Sequence, residues 1–257
     1  MVDASVIGCG HMGSALVKGL SQTGRHSVTA CDIDEQALED VSEYCTRTTT
    51  DLATTTEADV VFVVVKPDLT AEIVADLDLS AEQTLVSIAA GVSMDVLKNQ
   101  TDANIVRVMP NLAAENGHMA AAVSGELGDD VRELLNDVGV FVEIDEAQMD
   151  IATAVNGSGP AFVFYLLKAM ASAGVDSGLP PEDARILAAQ TFKGAAETVL
   201  RSDREIEELV DAVCSPKGTT IEGMEVLWDS DVEETIGNAV TAAEHRATEL
   251  ADKVDNE

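Results

Sequence analysis

The segment Val6-Ile7-Gly8-Cys9-Gly10-His11-Met12-Gly13 decides the fold. It follows a short apolar run and opens the amphipathic stretch from Ser14 to Leu20. The pattern is Gly-x-Gly-x-x-Gly between a strand and a helix. Gly8 permits a tight turn, Gly10 lets a pyrophosphate approach the backbone, and Gly13 allows the helix to pack closely. The helix start then offers free N–H groups and a positive dipole end to phosphate. Three glycines can also make an ordinary turn, but a second apolar run, Ser27 to Cys31, ends in Asp32. That is about 20 residues on, where a ribose-binding carboxylate is expected. The segment therefore predicts a dinucleotide site made by Gly8, Gly10, His11, Met12, Gly13 and Asp32.

Outward from this segment, strands and helices alternate. Asp59 to Val65 is a near-continuous β-branched run without polar alternation, which reads as a strand buried on both faces. Further strands are expected at 84–88 and 104–108, with 118–123 and 140–144 extending the sheet. The reading is a Rossmann-type, doubly wound parallel sheet over residues 1–147. Ligands bind outside the carboxyl ends of such strands, so the loops starting at Gly8, Lys66, Ala89 and Met109 should share one edge. From residue 148 to 257 no convincing strand appears, and the pattern predicts an all-α half. Its first two helices, 161–173 and 184–200, are apolar on more than one face, which fits cover by a second subunit.

The chain holds 47 Asp+Glu against 15 Lys+Arg, a formal charge of -32. With no basic face, nucleic acid is excluded as a partner. Hydrophobic residues make up 46%, too many for an acidic disordered chain, so the carboxylates form a shell around a folded core. Scarce lysine and 3% aromatics make the composition resemble that of halophilic proteins. No apolar run reaches membrane-spanning length, and no signal peptide is visible, so a cytoplasmic protein is expected. Cys9, Cys31, Cys45 and Cys214 form no paired motif, and no metal site is expected. Cys9 and Cys31 read as packing residues rather than nucleophiles.

A nicotinamide enzyme draws its chemistry from the cofactor, so its protein must supply a substrate cradle. Cys214-Ser215-Pro216-Lys217-Gly218-Thr219-Thr220 has the composition for one, and equally that of a plain helix cap. Asn156-Gly157-Ser158-Gly159-Pro160 reads foremost as a turn between helices. Lys66 fits a solvated strand end as well as a cofactor contact.

These segments, with Val64-Val65-Lys66-Pro67, Arg107-Val108-Met109-Pro110-Asn111 and Gly178-Leu179-Pro180, occur in an order that resembles the pyrroline-5-carboxylate reductases. The resemblance spans nearly the whole chain, and Ser-Gly-Pro-Ala and Ser-Pro-x-Gly-Thr-Thr are its specific pieces. It implies reduction of 1-pyrroline-5-carboxylate to L-proline by NADPH or NADH. It further implies that Ser215, Gly218 and Thr219 hold the substrate carboxylate and Thr220 serves the ring nitrogen. Val65, Lys66, Pro67, Met109, Pro110 and Asn111 would position the nicotinamide half. The helical half would bind substrate and form a homodimer, with dimers able to assemble further. The family usually has Ser at Asn156, Gly at Lys217 and Thr-Pro at Leu112-Ala113. Asp32, with no Arg or Lys between it and Tyr44, tilts the expectation toward NADH. A 3-hydroxyacid dehydrogenase would need a catalytic lysine, and Lys168 lacks the expected neighbours. A non-catalytic nucleotide sensor has no need of the intact Ser215-to-Thr220 loop.

Overall fold

The computed structural model describes Met1–Val254. Its chain divides into two compact units, Met1–Ser158 together with the chain from Thr241 onward, and Gly159–Val240.

The first unit is built on one sheet of eight strands. β1 (Asp3–Ile7) leads through the glycine loop into α1 (His11–Ser21), and β2 (Ser27–Cys31) into α2 (Glu35–Val41), which Asp34 caps through Gln36 N. A short β3 (Arg47–Thr49) follows, then β4 (Val60–Val63), α3 (Pro67–Ala75), β5 (Thr84–Ser87) and α4 (Met94–Lys98). β6 (Asn104–Pro110), β7 (Met119–Gly125), α5 (Asp129–Val138) and β8 (Gly139–Glu143) complete the sheet. The order is β3-β2-β1-β4-β5-β6-β7-β8, so the direction of winding reverses between β1 and β4. That reversal opens a crevice above the carboxyl ends of those two strands.

All of β4 is buried, as its β-branched run predicts. Successive residues face opposite sides, so Val6 and Phe62 enter one core cluster while Ile7, Val61 and Val63 enter the other. The first cluster is closed by Leu16, Leu20, Leu38 and Leu134, from α1, α2 and α5. The second is closed by Val74 and Leu97, from α3 and α4. The sheet is therefore doubly wound, as expected.

It is not wholly parallel. β7 runs antiparallel to β6, with Val108 opposite Val123, and β8 then runs parallel to β7. The link from β6 to β7 is a short 3-10 helix, Leu112–Asn116, too short for a crossover of a dozen or more residues. β3 was not expected, since its three residues carry no apolar signal at the sheet edge. β4 stops at Val63 rather than Val65, because Lys66-Pro67 already opens α3.

After β8 the chain enters α6 (Met149–Ala152), which runs on into a π-helical turn, Thr153–Gly157. The second unit contains α7 (Gly159–Asp176), α8 (Pro181–Arg201), α9 (Ile206–Val213) and α10 (Thr219–Trp228). α11 (Val232–Val254) begins in the second unit and ends in the first. α7 and α8 pack on each other, and Gly174 permits close approach, with Leu179 and Ala184 against it. Phe164, Tyr165, Ile186, Leu187 and Leu200 remain exposed on them. Among the described residues no helix is long and apolar enough to cross a membrane.

Candidate active site

The glycine loop has the shape its residues require. Gly8 sits at φ +95°, and a Cβ there would lie 2.5 Å from the Val64 carbonyl oxygen. A Cβ on Gly13 would lie 1.8 Å from the Gly8 carbonyl oxygen. A Cβ on Gly10, by contrast, would meet nothing within 4 Å. The loop is thus closed against the protein at its first and third glycines and open at its second. Gly10 is the N-cap of α1, and no side-chain hydrogen bond caps the helix start. The open space and the free amides fit a dinucleotide pyrophosphate.

Asp32 stands beside this loop. One carboxylate oxygen accepts from Cys9 N at 2.6 Å and the other from Asp34 N at 2.9 Å. Each oxygen keeps a second acceptor position for a ribose hydroxyl. Cys9 and Cys31 are buried beneath. Burial, reinforced by the negative charge of Asp32, pushes the Cys9 thiol up to about 12 and the Cys31 thiol up to about 11. Both stay protonated at neutral pH, so they are packing groups and not nucleophiles.

At the next strand end Lys66 is exposed and caps α3 with its backbone, while Pro67 occupies the first turn, where a missing N–H costs nothing. Val65 lies at Gly8, its Cγ1 3.0 Å from that glycine's notional Cβ. Met109 and Pro110 close β6 and are buried. The Asn111 side chain is largely committed to its own loop, since Oδ1 accepts from Ala113 N and Ala120 N at 3.1 and 3.3 Å. Asn156 binds the same region, donating from Nδ2 to Met109 O at 2.7 Å and Ala120 O at 3.1 Å. The sequence marked Asn156 only as part of a turn. The fold makes it the tie between the π-helical turn and the end of β6.

In the second unit, the Gly218 amide donates to Ser215 O at 2.9 Å, and Lys217 lies at φ +62°. A bond from the fourth residue back to the first, proline second and positive φ third are the marks of a type II turn, whose third position favours glycine. Lys217 is the sole non-glycine residue with positive φ among those described. The turn ends at Gly218, N-cap of α10, with no side-chain capping bond. Thr219 and Thr220 therefore belong to the first turn of α10. Both are exposed, as are Ser215 and Lys217. Lys217→Gly should relieve the left-handed backbone and stabilise the fold by up to about 1 kcal/mol, less the entropy that glycine loses on folding. Denaturant unfolding checks this, and a Lys217→Gly variant clearly less stable than the parent would contradict it.

A family model described as pyrroline-5-carboxylate reductase dimerisation matches residues 146–250. Another, described as NADP oxidoreductase, coenzyme F420-dependent, matches residues 4–91. The chain is 35% identical to the pyrroline-5-carboxylate reductase of Methanosarcina acetivorans, over 96% of this chain and 97% of that one. It is 32% identical to that of Escherichia coli, over 95% and 97%. Among solved structures, a Coxiella burnetii pyrroline-5-carboxylate reductase superposes with a TM-score of 0.88 at 28% identity, covering 97% and 98% of the two chains. A Plasmodium falciparum pyrroline carboxylate reductase with NADP bound gives 0.84 at 27% identity, covering 97% and 98%.

Proposed function

The chain belongs to the pyrroline-5-carboxylate reductase family and reduces 1-pyrroline-5-carboxylate to L-proline with NAD(P)H, and we propose which of its residues do the work. Ser215, Gly218 and Thr219 hold the substrate carboxylate. Thr220 bonds the ring nitrogen. The glycine loop holds the pyrophosphate through Gly8, Gly10, His11, Met12 and Gly13, and Asp32 takes the ribose. Val65, Lys66, Pro67, Met109, Pro110 and Asn111 line the nicotinamide side.

The observation that carries the substrate assignment is the type II turn at Ser215–Gly218. It delivers the amides of α10, which no side chain caps, to one exposed loop. Amides at a helix start favour an anion, and the substrate carries a carboxylate. The Thr220 hydroxyl has no hydrogen-bond partner among the described residues, so it is available to the imine nitrogen. It can accept from a protonated imine, or hold a proton at that nitrogen as the amine forms. When bound, the reduced nicotinamide supplies the hydride that the imine carbon receives. No strong acid is required of the chain, because an iminium carbon is already electrophilic.

Asp32 directs cofactor choice toward NADH. Its carboxylate suits a ribose hydroxyl and opposes a 2′-phosphate, and no Arg or Lys lies between it and Tyr44. Asp32→Ser should move the ratio of catalytic efficiencies toward NADPH by about tenfold, equivalent to about 1.4 kcal/mol. The ratio is the proper readout because the loss of the Cys9 contact loosens the loop for both cofactors. A strong NADPH preference in the parent that Asp32→Ser leaves unchanged would remove Asp32 from the ribose site.

The helical part is the family's dimerisation domain. We infer that the exposed Phe164, Tyr165, Ile186, Leu187 and Leu200 are covered by a second copy, and that dimers assemble further. Four free thiols fit a reducing cytoplasm.

A further inference from the structure

We propose that the Arg107–Glu146 ion pair, its arginine buried and its carboxylate half-buried, is a positioning device for the reaction, fixing the loop after β5 and with it the nicotinamide side of the cofactor edge. This rests on the reading that the cofactor lies along the carboxyl ends of β1, β4, β5 and β6. β5 pairs with β4 on one side and β6 on the other, so its loop lies between those that begin at Val64 and Asn111.

Arg107 lies within β6, opposite Ser87 of β5 and Ser124 of β7. Its side chain is 8% exposed, and Nη1 lies 2.7 Å from Glu146 Oε1. That same oxygen accepts from Met94 N at 2.6 Å. Met94 is the first residue of α4, and Ser93 before it caps the helix through Val96 N. One carboxylate oxygen thus ties an inner strand of the sheet to the helix that ends the loop. An ion pair with its guanidinium buried and its carboxylate half-exposed is a poor source of stability, since the cost of taking the arginine out of water offsets much of the attraction. What it supplies is direction, because both its partners must stay on the same oxygen.

The loop is also held three residues earlier. Gly91 lies at φ +77°, and a Cβ there would come within 2.9 Å of Ala251 N and 3.0 Å of Ala251 Cα. The backbone of α11 therefore rests directly on it. Nearby, Thr248 Oγ1 donates to Asp150 Oδ2 at 2.8 Å and holds α11 to α6. Between β5 and these two fixed points, Ala89 is buried and Ala90 packs against the small core cluster of Met109, Ala122 and Met149. Neither Arg107 nor Glu146 touches reacting atoms in this scheme. They act through the loop.

The test uses Glu146→Ala, Glu146→Gln and Gly91→Ala in the full-length protein. NADH affinity is read by fluorescence without substrate, with kcat, KM for each substrate and melting temperature alongside. Glu146→Ala leaves Arg107 and Met94 N without their acceptor. It should weaken NADH binding and lower kcat/KM for NADH, each about tenfold. Glu146→Gln keeps an acceptor oxygen for both and should recover to within about threefold. Gly91→Ala pushes the loop from the α11 side and should reproduce the tenfold loss with the ion pair intact. A Glu146→Ala protein that melts lower yet binds and turns over NADH as the parent does would overturn the proposal. Should Glu146→Ala fail to fold, parental NADH affinity and kcat in folded Gly91→Ala would overturn it equally. Loss of NADH affinity in Gly13→Ala but in neither Glu146→Ala nor Gly91→Ala would sink this proposal alone. Unchanged affinity in Gly13→Ala would sink the cofactor reading beneath it.

Discussion

Thr220→Ala should lower kcat about 10²-fold, a barrier increase of about 2.7 kcal/mol, while NADH affinity stays within about twofold of the parent. The substitution removes one hydroxyl from the first turn of α10 and leaves the turn's backbone amides in place. The substrate carboxylate keeps its donors, so KM should change less than kcat. NADH affinity should hold because the glycine loop belongs to the other compact unit. Thr220→Val preserves shape and should match the alanine variant, which separates hydrogen bonding from packing. The competing account, a helix cap, expects a lower melting temperature with normal turnover. It is weakened already, since Gly218 is the N-cap and no side chain bonds across the helix start. Stable Thr220→Ala and Thr220→Val proteins with full turnover would exclude the role at the ring nitrogen.

Much of this site was legible because its residues are constrained locally. Gly8 is required by its own φ of +95° and Gly13 by the Gly8 carbonyl just before it in the chain, and such requirements leave a sequence pattern. The buried run at β4 is legible for a similar reason, since both its faces lie in cores. Lys217 shows the limit of that logic. It occupies a glycine-favouring turn position at φ +62°, so the Ser-Pro-x-Gly turn survives a residue its geometry disfavours.

Other features were invisible because they depend on pairing across the fold. Glu146 is one of 47 acidic residues, and nothing adjacent marks it as the partner of Arg107. Asn156 and Met109 meet only once the π-helical turn lies against β6. The antiparallel β7 is a different case. The eight residues between Pro110 and Met119 were too few for a parallel crossover, so its direction could have been read from spacing. β3 had no such signal, being short and largely exposed at the edge.

Gly13→Ala should weaken NADH binding by at least about 10²-fold, because misplacing a binding group by about 1 Å can cost that much. Its Cβ would stand 1.8 Å from Gly8 O and 2.9 Å from Gly8 C. Both are backbone atoms and cannot rotate aside. Gly8 is held in turn by its N–H to Cys31 O at 2.8 Å, and Cys9 N by Asp32 at 2.6 Å. The clash can be relieved only by moving the start of α1 away from the end of β1, which moves the amides that face phosphate. Overpacking of this kind costs about 1–3 kcal/mol. The melting temperature should therefore fall by several degrees, at about 2–4 °C per kcal/mol for a chain of this size. Gly10→Ala is the matched control, because its Cβ would enter open space. That variant should melt with the parent yet bind NADH more weakly, as its methyl occupies the room the pyrophosphate needs. Normal affinity in Gly10→Ala would mean that the pyrophosphate does not pass over Gly10, and normal affinity in Gly13→Ala would move the cofactor off this loop altogether.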